Sequence, residues 1–563
     1  MKKNLIVLFW VLSIAFLLRV YKLNTLPIGL YSDETSIGYN AFSLLKTGAD
    51  EFGNKFPFTF VSFGDYKPPM SVWLDVPSVY LLGLNNFSVR LPSAISGLIT
   101  ILIVYLIAKE IFEKDINRNR ILKYLPELAA FSLAISPWHI LMTRSNMLVG
   151  EELMFTAAGF LFFLKGFKNN VYFFLSSISF SLAIYTYYGA RITIFALLFI
   201  LTLIYKREVY IKKKSLILPI LIAIIILSPL IYSIFKNPYT LTGRAKTISI
   251  FYDQHINLKL WQAHTQDGSE YPVLLSRFFN NKPYLYLNDI VKRYLQHYTF
   301  DFLVLKGDTQ IPFNMEKMGV VYLPSFIFFF IGMFYLLRYK KKESLALISY
   351  LAVSPIAASF TFMTPAANRS FNMVIPFSIL SSVGILISIE YLSKYFSKRT
   401  AIVFIAISYS IYFAFFIHTY FFTIPNFYPQ LWHYGRQELI TKVSKVQNNF
   451  DKVIVSDSQG PAYIWFLFYQ KYDPLSFRNS YKVNSVPDNF GFINITSFSK
   501  YIFIKPFDWA TVEKNPRYLY IGFEQNIPDN WEGFQKEKHY SSEVIDKVLY
   551  PNGSTAFKLV KIN

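Results

Sequence analysis

Arg90 to Phe112 reads RLPSAISGLITILIVYLIAKEIF, and no charge interrupts it between Leu91 and Ala108. A helix rising about 1.5 Å per residue needs roughly 20 apolar residues to cross about 30 Å of hydrocarbon. The run that begins at Val89 comes near that standard. Others begin at Leu5, Leu128, Glu152, Val171, Ile192, Ser215, Val320, Ser344, Phe371 and Ala401. The expected fold is therefore an α-helical polytopic membrane protein with about eleven transmembrane helices.

Composition agrees with lipid as the main solvent. Of 563 residues, 53% are hydrophobic and only 16% charged, where a soluble domain carries about a quarter charged residues. The formal net charge of +21 would suggest nucleic acid in a soluble protein. Here the basic residues cluster in short segments between apolar runs, which is the mark of membrane orientation and argues for no nucleic-acid partner. The absence of cysteine excludes disulfides and thiolate metal sites. Met1 to Val20 places two lysines before an apolar stretch but has no small-residue cleavage site after it, so a retained first helix is expected.

With the N-terminus in the cytoplasm, the inner connections are Lys114 to Lys123, Lys165 to Asn170, Lys206 to Lys214, Arg338 to Lys342 and Lys394 to Arg399. All are basic, whereas the short outer turns carry one arginine each: Arg144, Arg191 and Arg369. That asymmetry obeys the positive-inside rule and predicts a multi-pass protein of the cytoplasmic membrane with its C-terminus outside. Residues 1–424 form the expected transmembrane module, with large outer loops at 21–88 and 236–319. Residues 425–563 alternate strand-like runs (KVIVS, YIFIK, FKLVKI) with helical ones and predict a small α/β extracytoplasmic domain.

The first outer loop carries the densest chemistry. Ser32-Asp33-Glu34-Thr35 precedes the amphipathic SIGYNAFSLLKTG, and Gly64-Asp65-Tyr66-Lys67-Pro68-Pro69 precedes MSVWLDVPSVYLLG. Each charged cluster stands before a helix too short and too polar-faced to span, the pattern of helices lying in the interface plane. Asp33 also suits an N-cap, and Lys67 suits an interfacial lysine that snorkels toward lipid phosphate.

The order of a short first helix, Y-x-D-E, an interfacial helix, K-P-P and RLPSAISGLITILIVYLIAKEIF resembles the GT-C glycosyltransferases of family 39. These are the protein O-mannosyltransferases and lipid A aminoarabinose transferases. Further echoes are SPWHILMTRSNM, YTYYGAR and SPIAASFTFMTPAANRS. The resemblance implies an inverting transfer of a sugar from a polyprenyl-phosphate donor to an acceptor protein, lipid or glycan at the outer face of the membrane. No bound cofactor is implied; the lipid-linked sugar is a co-substrate.

Such a displacement needs one carboxylate to take the acceptor proton. Cations must neutralise the leaving phosphate. The resemblance puts Asp33 in the first role, with Glu34 as helper or structural partner, and Lys67 on the donor phosphate. Arg191 and Arg369, with no acid nearby in sequence, and Arg144, with Glu151 and Glu152 as rival partners, are further phosphate candidates. Tyr66 stands where the aminoarabinose transferases have an acid, which makes Asp65 the candidate second acid.

In the second outer loop, Arg244, Tyr294, His297 and Asp301 are candidates to line the substrate path, together with Tyr66. His297 and Asp301 have no evident third ligand beside them, so no metal site is expected there. Metal dependence of the reaction stays open. In the last domain Trp432, Tyr434, Trp465 and Tyr469 suit either sugar stacking or a core. The alternative to a transferase is a transporter or lipid-linked sugar flippase, but no repeated halves are visible.

Overall fold

The computed structural model describes residues 2–118, 121–252, 255–268, 270–310, 312–315, 317–339, 341–484, 493–505, 507–538 and 541–563. Each of the expected apolar runs falls on a helix or begins just before one. Among the described residues four helices have the length and apolar character of a membrane span: Asn86–Ile111, Lys213–Lys236, Phe371–Leu392 and Lys398–Phe427. Leu122–Ala134 and Pro137–Thr143, bent by 57°, make a further candidate as a pair. Asn4–Val20, Met70–Leu82, Val171–Thr186, Tyr188–Ile204 and Leu323–Arg338 are apolar but shorter.

The chain divides into two compact units. The first comprises Met1–Leu18, Ser96–Thr143 and Val149–Phe416. At its centre Phe371–Leu392 has 89% of its apolar window buried, against 11% for Lys213–Lys236 at the periphery. Leu323–Tyr339 packs on Val374–Leu392 with backbones almost touching. A Cβ on Gly332 would lie 1.9 Å from the Leu380 carbonyl oxygen, and one on Gly384 would lie 1.8 Å from that of Phe328. Small residues at crossing points are how helices in lipid gain contact without a hydrophobic force between them.

The second unit comprises Arg19–Ile95, Arg144–Leu148 and Ile417–Asn563. Its seven-stranded sheet has at its centre Lys452–Ser456, parallel to Tyr501–Ile504 on one side and to Tyr518–Gly522 on the other. The outer strands, including Thr555–Ile562, pair antiparallel. KVIVS is buried along nearly its whole length because parallel strands are covered on both faces. All three expected strands are present.

Segment 21–88 does not stand apart from this domain. Ile37, Tyr39, Phe60 and Val89 share one apolar core with Trp465, Phe466, Phe468 and Phe498. Trp465 is fully buried and its Nε1 donates to the Leu30 carbonyl at 2.9 Å. Tyr469 donates to Asn86 Oδ1 at 3.1 Å. These two aromatic rings, with the buried Trp432, form core.

Candidate active site

The helix Ser32–Thr47 starts one residue before Asp33 and takes Tyr31 as its N-cap. Glu34 closes the cap, its Oε2 accepting from the Tyr31 amide at 3.1 Å. Its remaining capacity is used as well. Arg90 donates Nε to Oε1 at 2.9 Å and Nη2 to Oε2 at 3.1 Å, and the Asn146 amide donates to Oε1 at 3.0 Å. Glu34 and Arg90 are both fully buried, so this charge-assisted fork fixes the start of the helix. Asp33 is thereby relieved of capping and sits in the first turn, where the helix dipole favours a carboxylate.

Lys67 reaches Asp33 from a two-stranded hairpin, Phe60–Ser62 with Asp65–Lys67. Phe63 and Gly64 form its two-residue turn with φ of 60° and 76°, the doubly positive geometry that matches strand twist. The hairpin is pinned to the helix through hydroxyls. Ser36 donates to Ser62 Oγ at 2.6 Å, Ser62 donates to Glu51 Oε1 at 2.9 Å, and the Glu51 amide donates to Asn40 Oδ1 at 2.9 Å. Lys67 Nζ forms an ion pair with Asp33 Oδ1 and lies 4.5 Å from the Phe63 ring centroid. The lysine side chain is 9% exposed and the aspartate 43%. The pair is thus a buried cation with a reachable carboxylate in front of it.

Strand alternation puts Asp65 on the same face of the hairpin as Lys67 and Tyr66 on the other. An acid displaced by one position relative to the aminoarabinose transferases therefore shares the lysine's face. Glu51, behind the pair, is fully buried. Burial pushes its carboxyl up to about 8, with Ser62 and the Lys67 charge acting the other way.

Three neighbours of this site were not among the residues singled out from the sequence. His433, at φ 54°, closes the turn after Pro429–Trp432. Its ring lies 5.2 Å from Tyr31 and 4.7 Å from Trp465. Gly29 permits this approach, since a Cβ there would lie 1.9 Å from the Trp432 carbonyl oxygen. Burial and then the Arg436 charge push the His433 imidazole down to about 3, against an opposing pull from Asp33. The ring is neutral at ordinary pH. Asn146 donates to Asp75 Oδ1 and to the Val89 carbonyl, both at 2.9 Å, and locks the helices around Glu34. Arg90 was visible only as the residue that opens a span.

Arg144 belongs to the same unit and is fully buried. Its Nε donates to Tyr420 Oη at 3.1 Å and its Nη2 to the carbonyls of Tyr21 and Leu26 at 2.8 and 3.0 Å. The guanidinium also lies 5.4 Å from the Tyr420 ring and 5.3 Å from that of Phe421. Glu152 is engaged by Asn372 and Thr156.

The remaining candidates lie in the other unit. Arg191 stands in the first turn of Tyr188–Ile204 with its guanidinium 4.5 Å from the Tyr188 ring. Among the described residues its Nε and Nη1 are buried without a hydrogen-bond partner. Arg369 donates to Thr361 Oγ1 at 3.2 Å and to the Met363 carbonyl at 3.1 Å. His297 is buried and accepts at Nε2 from the Ala366 amide at 3.1 Å, so Nδ1 carries the proton toward the Arg293 carbonyl at 2.9 Å. Asp308 and Trp138 hold the same 366–367 backbone.

Tyr294 donates to the Ala352 carbonyl at 2.8 Å. Asp301 is exposed and paired with Lys306 at 2.8 Å. The Arg244 side chain lies outside the described residues. No group of three metal-ligating side chains occurs among the described residues.

Residues 66–232 match the family described as dolichyl-phosphate-mannose-protein mannosyltransferase. No curated protein matches the chain. Among solved structures, ArnT from Cupriavidus metallidurans bound to undecaprenyl phosphate aligns over 98% of this chain and 97% of its own, at 12% identity and a TM-score of 0.55. Its apo state gives the same score and identity. The oligosaccharyltransferase AglB from Archaeoglobus fulgidus, in complex with an inhibitory peptide and a dolichol-phosphate, aligns over 83% of this chain and 63% of its own, at 14% identity and a TM-score of 0.48. The chain has the GT-C glycosyltransferase fold, as the motif order of its first 190 residues led us to expect.

Proposed function

We propose that this protein is an inverting glycosyltransferase that moves a sugar from a polyprenyl-phosphate carrier to a hydroxyl of an acceptor protein, lipid or glycan at the outer face of the cytoplasmic membrane. The observation that carries the reading is the pair formed by half-exposed Asp33 and buried Lys67. The similarity in fold to a transferase bound to undecaprenyl phosphate supports the class of donor.

The acceptor hydroxyl gives its proton to Asp33 as its oxygen forms a bond to the anomeric carbon. The bond from that carbon to the phosphate oxygen breaks on the opposite side, and the electron pair leaves with the phosphate. No second carboxylic acid is required, because phosphate departs as an anion that a cation in a water-poor site can stabilise. Lys67 is that cation. Arrival of the phosphate gives Lys67 a second anion, loosens its hold on Asp33 and leaves the carboxylate more basic toward the acceptor.

Glu34 and Arg90 keep Asp33 in place and take no part in proton transfer. Arg144, held by carbonyls and Tyr420, is proposed as a scaffold cation, and Asp65 as a second acid that tunes Lys67. Arg191 is proposed as a phosphate ligand in its own unit, since two buried N–H groups call for an acceptor. Arg369 is the second candidate there. The outward placement of the C-terminal domain rests on the basic inner connections.

The test is transfer by the purified protein in nanodiscs, with a panel of polyprenyl-phosphate sugars and hydroxyl acceptors. Formation of glycosylated acceptor with release of polyprenyl phosphate is expected, and its loss in Asp33→Asn. Movement of intact lipid-linked sugar across the bilayer without cleavage would replace this reading with a flippase.

A further inference from the structure

The helix Lys282–Gln296 is turned inside out. Its charged side faces the protein. Asp289 is buried and accepts from Arg293 Nε at 2.7 Å and Lys259 Nζ at 3.1 Å, with His255 Nε2 at 3.2 Å. Arg293 also donates to the Phe362 carbonyl at 2.8 Å. Its apolar side faces outward: Tyr284, Leu287, Val291 and Leu295 are 54%, 61%, 46% and 55% exposed. Their spacing of three, four and four residues puts them on one stripe.

A water-facing helix does the reverse, burying the apolar stripe and solvating the charges. The neighbouring helix His255–Asp267 repeats the arrangement, with Lys259 turned to Asp289 while Leu258 and Trp261 are 60% and 67% exposed. Exposed apolar stripes of this kind call for an apolar occupant. We infer that the Leu287 face of Lys282–Gln296, with Leu258 and Trp261 beside it, docks in the plane of the bilayer, its stripe among the upper acyl chains.

Three features select lipid. The helix is too short and too polar on its inner side to span, which is the character of an interfacial helix. The exposed Lys292 borders the stripe and suits the phosphate level of a headgroup layer. The outward surface is made of Leu, Val, Tyr and Trp, with the amphipathic rings that favour the boundary between hydrocarbon and water. The Asp289 cluster is the device that makes this possible: it turns Asp289 and Arg293 away from the face that meets lipid.

The absence of native cysteine allows a direct test on the full-length protein in liposomes. The single variants Tyr284→Cys, Leu287→Cys, Asn288→Cys, Val291→Cys, Lys292→Cys and Leu295→Cys each carry a nitroxide, and collision rates with oxygen and with a water-soluble nickel chelate are measured by electron paramagnetic resonance. The ratio of oxygen to nickel collisions is expected to be several-fold higher at 287 and 291 than at 292, following the helical period. Equal and high nickel collision rates at 287 and 291 would show a water-facing stripe and overturn the inference. Protection from both reagents would also overturn it, by showing a protein surface on the stripe.

Discussion

The two long segments 21–88 and 236–319 treat an aspartate in opposite ways. Asp289 in the second is buried and paired with Arg293 and Lys259, with His255 beside it, so its charge is spent on structure. Asp33 in the first is 43% exposed and meets one lysine whose own side chain is 9% exposed. A carboxylate that is enclosed and paired on more than one side is poorly placed to receive a proton from a substrate. One that is held in place by other groups, here Glu34 with Arg90 and the hairpin through Ser36 and Ser62, remains available for chemistry. The contrast separates structural from reactive acids better than proximity to cations does.

Exchanging each aspartate for asparagine breaks the comparison most severely. Asp33→Asn is expected to lower transfer by about 10³-fold or more, with thermal unfolding in detergent little changed. Asp289→Asn is expected to do the reverse, lowering stability by on the order of 1–3 kcal/mol because the charge-assisted hydrogen bonds that the buried carboxylate accepts from Arg293 and Lys259 are weakened, while activity per folded molecule persists. Equal effects of the two on turnover would erase the distinction. Lys67→Ala comes next, with a fall of roughly 10²-fold in kcat/KM for the lipid-linked donor and normal folding, since the hairpin is held by its hydroxyl network and turn. Arg191→Ala is expected to raise the donor KM by on the order of tenfold, the worth of a charge-assisted contact; an unchanged KM would remove Arg191 from phosphate binding.

The smallest effect concerns Glu51. Its carboxyl is pushed from an ordinary value of 4.5 up to about 8, so between those pH values the folded chain keeps a proton that the unfolded chain releases. Stability contributed by this group is therefore present at low pH and falls as pH rises through that window. Glu51→Gln is expected to flatten the dependence, raising the unfolding temperature at pH 9 relative to pH 5 when compared with the parent. A parallel shift at both pH values would mean that Glu51 does not hold the proton.

Much of this was legible in the sequence. Apolar runs located the helices because lipid admits few other backbones, and KVIVS, YIFIK and FKLVKI located three strands of the sheet. Asp33 and Lys67 were found through short charged patterns, but their pairing was not. It depends on the hairpin at Phe63–Gly64, a turn without the Asn-Gly or Asp-Gly signature. Asp33 suits an N-cap by the same local logic, but Tyr31 occupies that position because buried Glu34 closes the cap from inside.

His433 was out of reach, since 400 residues separate it from Asp33 and only the shared core brings them together. The inverted faces of Lys282–Gln296 were hidden for a related reason. Its period of apolar residues reads the same whether the stripe points in or out, and only the ion cluster on Asp289 decides.

The central claim is that Asp33 acts as base in a single displacement, and the configuration of the product reports on it most directly. The anomeric proton of the transferred sugar, observed by nuclear magnetic resonance in donor and in product, should show inversion, with no sugar covalently attached to the protein at any stage. Retention of configuration, or a sugar trapped on Asp33, would contradict the account.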